Sequence, residues 1–513
     1  MVNKITTATI IGLDAFKVHV EVDVVNSLPS ISIVGLPDTA INEARDRVRS
    51  AIKNSNFTFP SKKVVINLAP ADLKKEGSNF DLPIAIGILV EEEVLSEELL
   101  KDFAFVGELS LDGGLRSVNG VLPLVMGLKE IGVKNVFVPT INACEAGLVE
   151  GINVFGAECL ADVVNHFSGQ PIEKSFVDVS AYLNEDLKKE YQYDFKDVKG
   201  QSKAKKALEI SAAGGHNMLM FGSPGSGKTL MAKCFASILP PLQLQEALEL
   251  TKIYSICGQL SSKQPLMTQR PFRAVHHKAS ANGIIGGGST PKPGEITLAH
   301  RGVLFLDEMV EFPRDVLEVL RQPLEDGEIV ISRAKHSIKY PANFMLLGAM
   351  NPCPCGFLGD KEKQCTCSEF QINRYLSKLS GPLLDRIDLQ IEVSRLNTKE
   401  LMEVNSAEES STTIRDRVVK AREIQALRYK NEGILTNSEL SSKLVKKYCQ
   451  IDEKSQELLK IAVVKYQLSG RRYDRVLKIA RTIADLDSSE NIQQTHLMQA
   501  LQYRLFNQEA LVR

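Results

Sequence analysis

Apolar positions recur with different periods along the chain, and their pattern divides it into regions. Between Thr7 and about Gly169, short β-rich runs alternate with amphipathic helical stretches, of which residues 41–52 are a clear example. This alternation predicts a first α/β domain over residues 1–169. Residues 170–195 are polar and charged and lack a strong apolar period, which indicates a linker.

The remainder of the chain contains a second alternating region followed by a helical one. Residues 196–395 again alternate strand-like and helix-like segments, but they include insertions rich in glycine and proline at 270–294 and 351–368. Over residues 396–513, proline becomes rare and apolar residues recur at helical spacing. We therefore predict an α/β fold with two α/β domains followed by a helical domain. A chain of 513 residues is longer than one hydrophobic core usually serves, which agrees with this division.

Composition narrows the class of protein. The chain has 43% hydrophobic and 24% charged residues and a formal net charge of −1, as in an ordinary globular protein. Dedicated nucleic-acid binders often carry a basic excess, so any contact with DNA must come from a local patch. We find no apolar run long enough for a membrane helix and no secretion signal. We expect a cytoplasmic protein without membrane partners, in which the nine cysteines are reduced.

The segment Gly222-Ser-Pro-Gly-Ser-Gly-Lys-Thr229 matches the glycine-rich pattern that surrounds nucleotide phosphates. An apolar strand-like segment precedes it and a helix-like segment follows it, which is the setting that the pattern requires. Glycines let backbone N–H groups approach phosphate oxygens, and the N-terminus of the following helix adds partial positive charge. We expect Lys228 to contact the β- and γ-phosphates and Thr229 to offer its hydroxyl to Mg²⁺.

An apolar strand followed by two carboxylates, Asp307 and Glu308, predicts the second half of this site. Asp307 would orient Mg²⁺ and its water, and Glu308 would act as the general base on the attacking water. Asn351 follows another apolar strand and could hold that water, although an asparagine before proline is also a common turn former. The sequence thus predicts ATP and Mg²⁺ as ligands. The predicted nucleotide-binding residues are Gly222, Ser223, Pro224, Gly225, Ser226, Gly227, Lys228, Thr229 and Asp307.

Together with the stretch Leu383-Leu-Asp-Arg-Ile-Asp388, these motifs resemble the AAA+ ATPases that include magnesium-chelatase subunits and the MCM helicases. The resemblance implies a homo-oligomeric ring, taken as a hexamer. It also implies that Arg386 is an arginine finger that reaches the γ-phosphate held by the neighbouring subunit. Arg471 matches the second sensor arginine, with Arg475 as the alternative. A surface salt bridge is the other interpretation of Arg386 and Arg471.

Further segments of the chain resemble the ComM/YifB group of magnesium-chelatase-like ATPases. The resemblance implies an N-terminal domain similar to the Lon-protease and ribosomal-S5-like fold. Asn79 and Leu122 stand near the positions where Lon-type proteolysis needs a serine and a lysine, so that dyad is expected to be absent. Ser78 keeps a protease interpretation open. The segments that carry the resemblance are 270–277, 286–289, 291–300, 320–327 and 480–486.

Members of the group resemble ring helicases that move DNA junctions during recombination, notably in natural transformation. We therefore expect ATP-driven DNA translocation or branch migration, on single-stranded or branched DNA. Residues 327–340 predict a β-hairpin with a basic middle that could hold phosphates. An ordinary solvated turn is the alternative for this hairpin. The competing function is chelatase-like remodelling of a protein partner without DNA. The candidate DNA-binding residues are Arg333, Lys335, His336 and Lys339.

Four cysteines fall within the second insertion, as two Cys-x-Cys pairs. Four thiols in one short loop are enough for a tetrahedral Zn²⁺ site. This spacing is less diagnostic than paired Cys-x-x-Cys motifs, so unligated reduced thiols are the alternative. The candidate ligands are Cys353, Cys355, Cys365 and Cys367. The roles of His276 and His277 stay open at this stage.

Overall fold

The computed structural model describes residues 3–186, 191–261, 263–288, 291–332, 337–360, 362–395, 408–466 and 468–503. Contacts divide the chain into two compact units, the first within residues 1–187 and 243–268 and the second within 188–242 and 269–513. Among the residues described, no helix is long and apolar enough to span a membrane.

The first unit is built on a mixed sheet with helices packed against it. Its strands are β1 (Asn3–Ile11), β2 (Asp14–Val25), β3 (Ser30–Val34), β4 (Lys63–Ala69), β5 (Phe103–Phe105), β6 (Glu108–Leu109), β7 (Leu115–Arg116), β8 (Asn135–Pro139), β9 (Asn153–Ala157) and β10 (Lys174–Ser175). In the described residues, eight of them pair in the order β10-β9-β8-β5-β1-β2-β4-β3. Buried and half-exposed positions alternate along β4, which indicates a sheet with one face on the core.

The first unit also contains helices, several of which pack against this sheet. They are α1 (Thr39–Asn54), α2 (Asp81–Glu91), α3 (Glu97–Leu100), α4 (Val121–Glu130), α5 (Thr140–Ala146), α6 (Leu160–Phe167) and α7 (Val179–Asp186). α1 begins where the Asp38 carboxylate accepts a hydrogen bond of 2.9 Å from the N–H of Ile41. Its buried residues, which include Ile41, Ala44 and Val48, follow helical spacing. This α/β layout agrees with the predicted fold class.

The second unit contains a five-stranded parallel sheet. The strands of this unit are β11 (Met218–Phe221), β12 (Phe272–Val275), β13 (Gly286–Gly287), β14 (Lys292–Pro293), β15 (Val303–Leu306), β16 (Glu328–Ser332), β17 (Ser337–Pro341), β18 (Met345–Met350) and β19 (Leu389–Glu392). The parallel sheet has the order β12-β15-β18-β11-β19. Its central strands are continuously apolar and buried, as expected where both faces are covered. All their carboxyl ends therefore meet at one edge.

Most of the helices after residue 200 cover this sheet or form the C-terminal region, and one of them belongs to the first unit. In chain order they are α8 (Ser202–Gly214), α9 (Lys228–Phe235), α10 (Leu244–Ile256), α11 (Ala281–Ile285), α12 (Glu295–Leu298), α13 (Arg314–Val319), α14 (Arg321–Asp326), α15 (Glu369–Leu376), α16 (Gly381–Leu384), α17 (Ser411–Arg428), α18 (Ser442–Tyr448), α19 (Glu453–Lys465), α20 (Gly470–Leu486) and α21 (Gln494–Gln502). Short 3₁₀ turns lie at Phe195–Asp197, Ala236–Ile238, Met309–Glu311 and Asn437–Glu439. The helical character predicted for the C-terminal region is confirmed. Its helices share one hydrophobic core with the parallel sheet.

Helix α10 belongs to the first unit, although its sequence lies inside the predicted ATPase region 196–395. It packs on α4. The Ser255 hydroxyl of α10 donates to the buried Glu145 carboxylate, and the Ser255 carbonyl accepts the N–H of Gly120 at 3.1 Å. Burial raises the pKa of Glu145. The contacts therefore assign residues 243–268 differently from the boundaries predicted from sequence, because an apolar helical pattern predicts burial but not the partner.

Two short hairpins lie together in the second unit. β16 and β17 pair in antiparallel register from Glu328 with Pro341 to Ser332 with Ser337, where the sequence predicts a hairpin. β13 and β14 form a smaller one. The two are joined by the Tyr340 hydroxyl, which donates to the carbonyl oxygen of Pro291 at 2.9 Å.

Candidate active site

The glycine-rich loop connects the end of β11 to the start of α9. β11 ends at Phe221 and α9 begins at Lys228, so residues 222–227 form the connecting turn. Gly225 and Gly227 have φ values of 78° and 91°, a left-handed conformation that residues with a Cβ rarely adopt. A turn of this kind at a helix N-terminus lets backbone N–H groups surround a phosphate.

The ammonium group of Lys228 is buried within this loop. It donates hydrogen bonds to the carbonyl oxygens of Gly222 and Ser223 at 2.7 and 2.9 Å, and it lies 3.4 Å from Asn351 Oδ1. Burial lowers the pKa of Lys228 from its ordinary 10.5 to about 8, while the charge of Asp307 acts in the opposite direction. An anion bound in the loop would raise this pKa again.

The two candidate magnesium ligands are in direct contact. The Thr229 hydroxyl donates a hydrogen bond of 2.8 Å to Asp307 Oδ2. Thr229 lies at the start of α9, and Asp307 follows β15. Although β18 lies between β11 and β15, their carboxyl ends are close enough for these side chains to meet. A hydroxyl and a carboxylate are oxygen ligands that suit Mg²⁺ alongside phosphate oxygens.

The carboxylate of Glu308 contacts His277, a residue to which the sequence analysis assigned no role. Glu308 has a φ of 50°, and its Oε2 lies 3.3 Å from Nδ1 of His277. His277 follows β12, the strand next to β15. The His276 ring lies against that of His277, with centroids 4.2 Å apart. A polar residue just after a parallel strand is the signal that could have indicated this position, since ligands bind at that edge.

Asn351 comes directly after β18, the strand between β11 and β15. Its contact with Lys228 joins residues that are 123 positions apart in the sequence. The carboxyl ends of β11, β15 and β18 thus bring together Lys228, Thr229, Asp307 and Asn351. Such a group can bind the phosphates of a nucleotide and a water molecule beside them.

The four cysteines also come together, in the loop that follows Asn351. Their sulfur atoms all lie within 4.8 Å of one another. Cys353 Sγ is 3.4 Å from Cys355 Sγ and 3.6 Å from Cys365 Sγ, and Cys367 Sγ accepts the N–H of Cys355 at 3.3 Å. Four sulfurs bound to Zn²⁺ at about 2.3 Å would lie about 3.8 Å apart, so this arrangement fits a tetrahedral zinc ion.

Arg386 lies at the opposite edge of the parallel sheet. Its carbonyl oxygen accepts a hydrogen bond of 3.0 Å from Asn217, the residue before β11. The loop around Lys228 starts after β11, so the length of this four-residue strand, roughly 13 Å at about 3.3 Å per residue, separates the two places. Within one chain, Arg386 therefore lies far from the phosphate-binding loop.

A cavity of about 750 Å³ at this edge brings the candidate arginines together. Arg386, Arg471 and Arg475 all line it. Arg386 pairs with Glu325, while Arg475 Nε lies 3.4 Å from Asp388 Oδ1. Within the described part of the chain, Arg386 Nε and Arg475 Nη1 are buried without a hydrogen-bond partner. Burial first, and then the neighbouring positive charges, lower the pKa of Arg386.

Sequence comparison with known proteins finds the same family over most of the chain. Family models described as "Magnesium chelatase, subunit ChlI", "Subunit ChlI of Mg-chelatase" and "Magnesium chelatase, subunit ChlI C-terminal" match residues 194–401, 20–142 and 408–504. The chain is 45% identical to competence protein ComM of Haemophilus influenzae, over 96% of this chain and 95% of that protein. It is 43% identical to YifB of Escherichia coli, over 97% and 96% of the two chains.

The chain belongs to the ComM/YifB group of magnesium-chelatase-like AAA+ ATPases. A more distant similarity, 26% identity over 176 residues, covers 31% of this chain and 53% of the magnesium-chelatase 38 kDa subunit of Cereibacter sphaeroides. Membership of this family implies ATP and Mg²⁺ as ligands, and the residues around Lys228 and Asp307 fit them.

For this ComM/YifB-type chain, the hairpin that carries the candidate DNA contacts is only partly described. Arg333, Lys335 and His336 lie outside the described residues. Lys339 lies on β17, where its ammonium group pairs with Glu328 at 2.9 Å and its side chain remains exposed. A role for these four residues in DNA binding stays a prediction.

The first unit contains the positions that a Lon-type dyad would use. Asn79 is buried and donates to the carbonyl oxygen of Ala8 at 3.1 Å, and Leu122 is fully buried in the core. The Ser78 hydroxyl donates to the carboxylate of Glu108. A carboxylate that accepts this proton in a hydrogen bond is not the lysine amine that a Ser–Lys dyad needs.

Proposed function

We propose that this chain is an ATP-driven motor that forms a hexameric ring and moves along or remodels branched DNA in the cytoplasm. The observation that carries the enzymatic part is the convergence of Lys228, Thr229, Asp307 and Asn351 at one edge of the parallel sheet. Recombination during natural transformation is the process we favour, since the similar protein of Haemophilus influenzae is named for competence.

The geometry supports a separate role for each residue of the site. Lys228 would bind the β- and γ-phosphates, and Thr229 and Asp307 would hold Mg²⁺, which supplies charge neutralisation on those phosphates. Glu308, oriented by His277 at 3.3 Å, would take the proton of the attacking water. Asn351 would position that water.

The arginine cavity supports an active site shared between two subunits. Arg386, Arg471 and Arg475 lie at the edge opposite to the loop of their own chain, so they would act on a nucleotide held by a neighbour. Arg386 and Arg475 each have a guanidinium N–H group without a partner among the described residues, which leaves hydrogen-bonding capacity for an anion. A ring of identical subunits, each presenting one edge to the next, would satisfy this arrangement.

We further propose that the four-cysteine cluster holds Zn²⁺. The sulfur positions support it, because they are close to those of a tetrahedral site before any metal is added. Elemental analysis of untagged protein should find about one zinc per chain. Protein without metal would favour reduced thiols.

The DNA part of the proposal is tested with ATP turnover and binding measured on the same protein. Single-stranded or forked DNA should raise turnover severalfold. Replacing Lys335 and Lys339 together with alanine should weaken DNA binding and reduce the dependence of log K on log salt by about 2, because each phosphate contact contributes about one unit. Basal turnover should not change.

The matched control replaces Lys454 and Lys460, two exposed lysines of α19, with alanine. This variant removes the same charge from a surface outside the hairpin, so its DNA binding should stay close to wild type. Equal loss in both variants would indicate a nonspecific charge effect. If no DNA structure changes turnover, the chain is better explained as a chelatase-like ATPase that remodels a protein partner.

A further inference from the structure

The loop between β18 and α15 contains the four cysteines and is called the cysteine loop below. It packs directly on the phosphate-binding loop. Gly356 lies between the two Cys-x-Cys pairs, with a φ of 85°. A Cβ placed on it would lie 2.7 Å from the ring of Pro224 and 3.8 Å from Asn351 Cγ. Only a glycine fits this gap, so the two loops are in close contact at Pro224.

Asp360 helps to fold the cysteine loop. Its Oδ1 accepts backbone hydrogen bonds from Glu362 and Lys363 at 2.8 and 3.0 Å, which folds the loop back on itself. The Ser223 hydroxyl, next to Pro224 in the phosphate-binding loop, is the largest cause of a pKa of about 2 for Asp360. Asp360 Oδ2 itself has no hydrogen-bond partner among the described residues.

The cysteine loop has little structure of its own to hold it there. Its described residues between β18 and α15 form turns and bends without a helix or strand. A loop of this kind has high conformational entropy unless it is cross-linked. Its first metal-binding candidate, Cys353, stands two residues after Asn351, which contacts Lys228. A metal bound to the four sulfurs would therefore fix the segment that touches both the start of the phosphate-binding loop and its lysine.

We propose that metal binding by Cys353, Cys355, Cys365 and Cys367 clamps the cysteine loop onto the phosphate-binding loop, so that ATP affinity depends on the bound metal. This inference rests on the proposed zinc site and adds a role for it. In this proposal the metal does not contact the nucleotide. It fixes the backbone at Gly356, which packs against Pro224. The clamp also gives the nucleotide site a dependence on zinc supply and on thiol oxidation, since oxidised thiols cannot bind the ion.

Two glycines of the cysteine loop provide a matched pair of variants. Gly356 and Gly359 both have positive φ, 85° and 81°, so alanine strains the backbone equally at each. The added Cβ meets Pro224 at position 356, but meets nothing within 4 Å at position 359. Gly356→Ala therefore separates the loops while leaving all four cysteines, and Gly359→Ala controls for strain.

The full chain is tested by titration with a fluorescent ATP analogue, alongside zinc content and melting temperature. Both variants should keep about one zinc per chain. Gly356→Ala should raise the dissociation constant about tenfold over Gly359→Ala, which corresponds to about 1.4 kcal/mol. Stripping zinc from the wild type with a chelator under reducing conditions should weaken binding to a similar extent, and adding zinc back should restore it. In Gly356→Ala, removal of zinc should have little further effect.

The possible failures are distinguishable. If the wild-type protein binds no zinc, both the zinc site and the clamp are overturned, while the ATPase proposal is unaffected. Protein that binds zinc, but whose two glycine variants bind ATP equally well, would overturn the clamp and keep the zinc site. If Gly356→Ala melts at a much lower temperature than Gly359→Ala, the two variants are no longer a matched pair, and the test is the zinc-free wild type. Unchanged ATP affinity of the wild type after removal of zinc would overturn the clamp.

Discussion

The two edges of the parallel sheet in the second unit differ in what their charged groups contact. At the carboxyl edge, Lys228 is held by oxygens of its own loop and Thr229 by Asp307. At the amino edge, Arg386 and Arg475 each keep a buried N–H group that no described residue accepts. The charged groups of the first edge satisfy one another, whereas the second edge has two guanidinium donors without a partner among the described residues. This difference supports our proposal that each active site is shared between two neighbouring chains.

The strongest test of this difference mixes two inactive variants. Arg386→Ala should bind ATP but lose turnover by roughly 10³ to 10⁵, because an arginine finger stabilises charge on the transferred phosphoryl group. Lys228→Ala should also be inactive, through lost binding. Mixed rings should regain part of the ATPase activity, since some interfaces pair an intact loop with an intact finger.

The control for this experiment is Arg472→Ala, which removes an arginine paired with Asp385 near the same edge and should have only a small effect. Native mass measurement must show that mixed oligomers form. A mixture that forms and yet stays inactive would mean that Arg386 acts within its own chain or that all sites must fire together. Full activity of Arg386→Ala alone would show that the finger assignment is wrong.

A smaller but still large effect is expected at the carboxyl edge from Glu308→Gln. The amide cannot take a proton from water, so turnover should fall by roughly 10² to 10⁴. Nucleotide affinity should stay near wild type, because Lys228, Thr229 and Asp307 are untouched. Fluorescent-nucleotide titration separates the two quantities. Weak binding in this variant would indicate that Glu308 holds the nucleotide and is not the base.

The phosphate-binding loop of the carboxyl edge was the easiest part of the site to predict from sequence, and the reason is physical. The glycine-rich loop, its lysine and the following threonine are contiguous, and their chemistry fixes their spacing. The four cysteines are also close together in the sequence, within the 15 residues from Cys353 to Cys367. Both groups were therefore visible without knowledge of the fold.

The remaining features depend on which strands are neighbours. His277 meets Glu308 only because β12 pairs with β15, and the spacing of these residues in sequence does not reveal that. Helix α10 has an apolar face, but its pattern could not show that it packs in the first unit. The contact of Gly356 with Pro224 was missed for the same reason.

His277 provides a more moderate test of the carboxyl edge. Replacing it with alanine removes the group that orients Glu308, so turnover should fall about three- to tenfold while nucleotide affinity stays unchanged. His277→Asn keeps a side-chain N–H donor and should recover part of the loss. His276→Ala, which removes the adjacent ring but not the contact with Glu308, should have the smaller effect. An equal loss in both alanine variants would point to packing of the two rings and not to orientation of the base.

The smallest expected effect is a proton taken up when the carboxyl edge binds its nucleotide. Burial lowers the pKa of Lys228 from 10.5 to about 8, so in the free protein this lysine loses its charge as pH rises through about 8. Between about pH 8 and its ordinary pKa of 10.5, the unfolded chain binds more protons at this residue than the folded chain does. The contribution of Lys228 to the stability of the free protein therefore rises with pH in that window. Phosphate oxygens favour the charged lysine and reverse the shift.

ATP binding should accordingly take up roughly 0.7 proton per site near pH 8.5 but only roughly 0.1 near pH 7. The number of protons taken up per bound ATP is obtained from calorimetric binding enthalpies measured in two buffers of different ionisation enthalpy. ATP affinity should also fall as pH rises above about 8. Lys228→Arg keeps its charge throughout this range and should show almost no uptake, provided that its weaker binding is still measurable. Equal uptake in the wild type and in Lys228→Arg would assign the proton to another group, and equal uptake at both pH values would mean that the loop does not lower the pKa of its lysine.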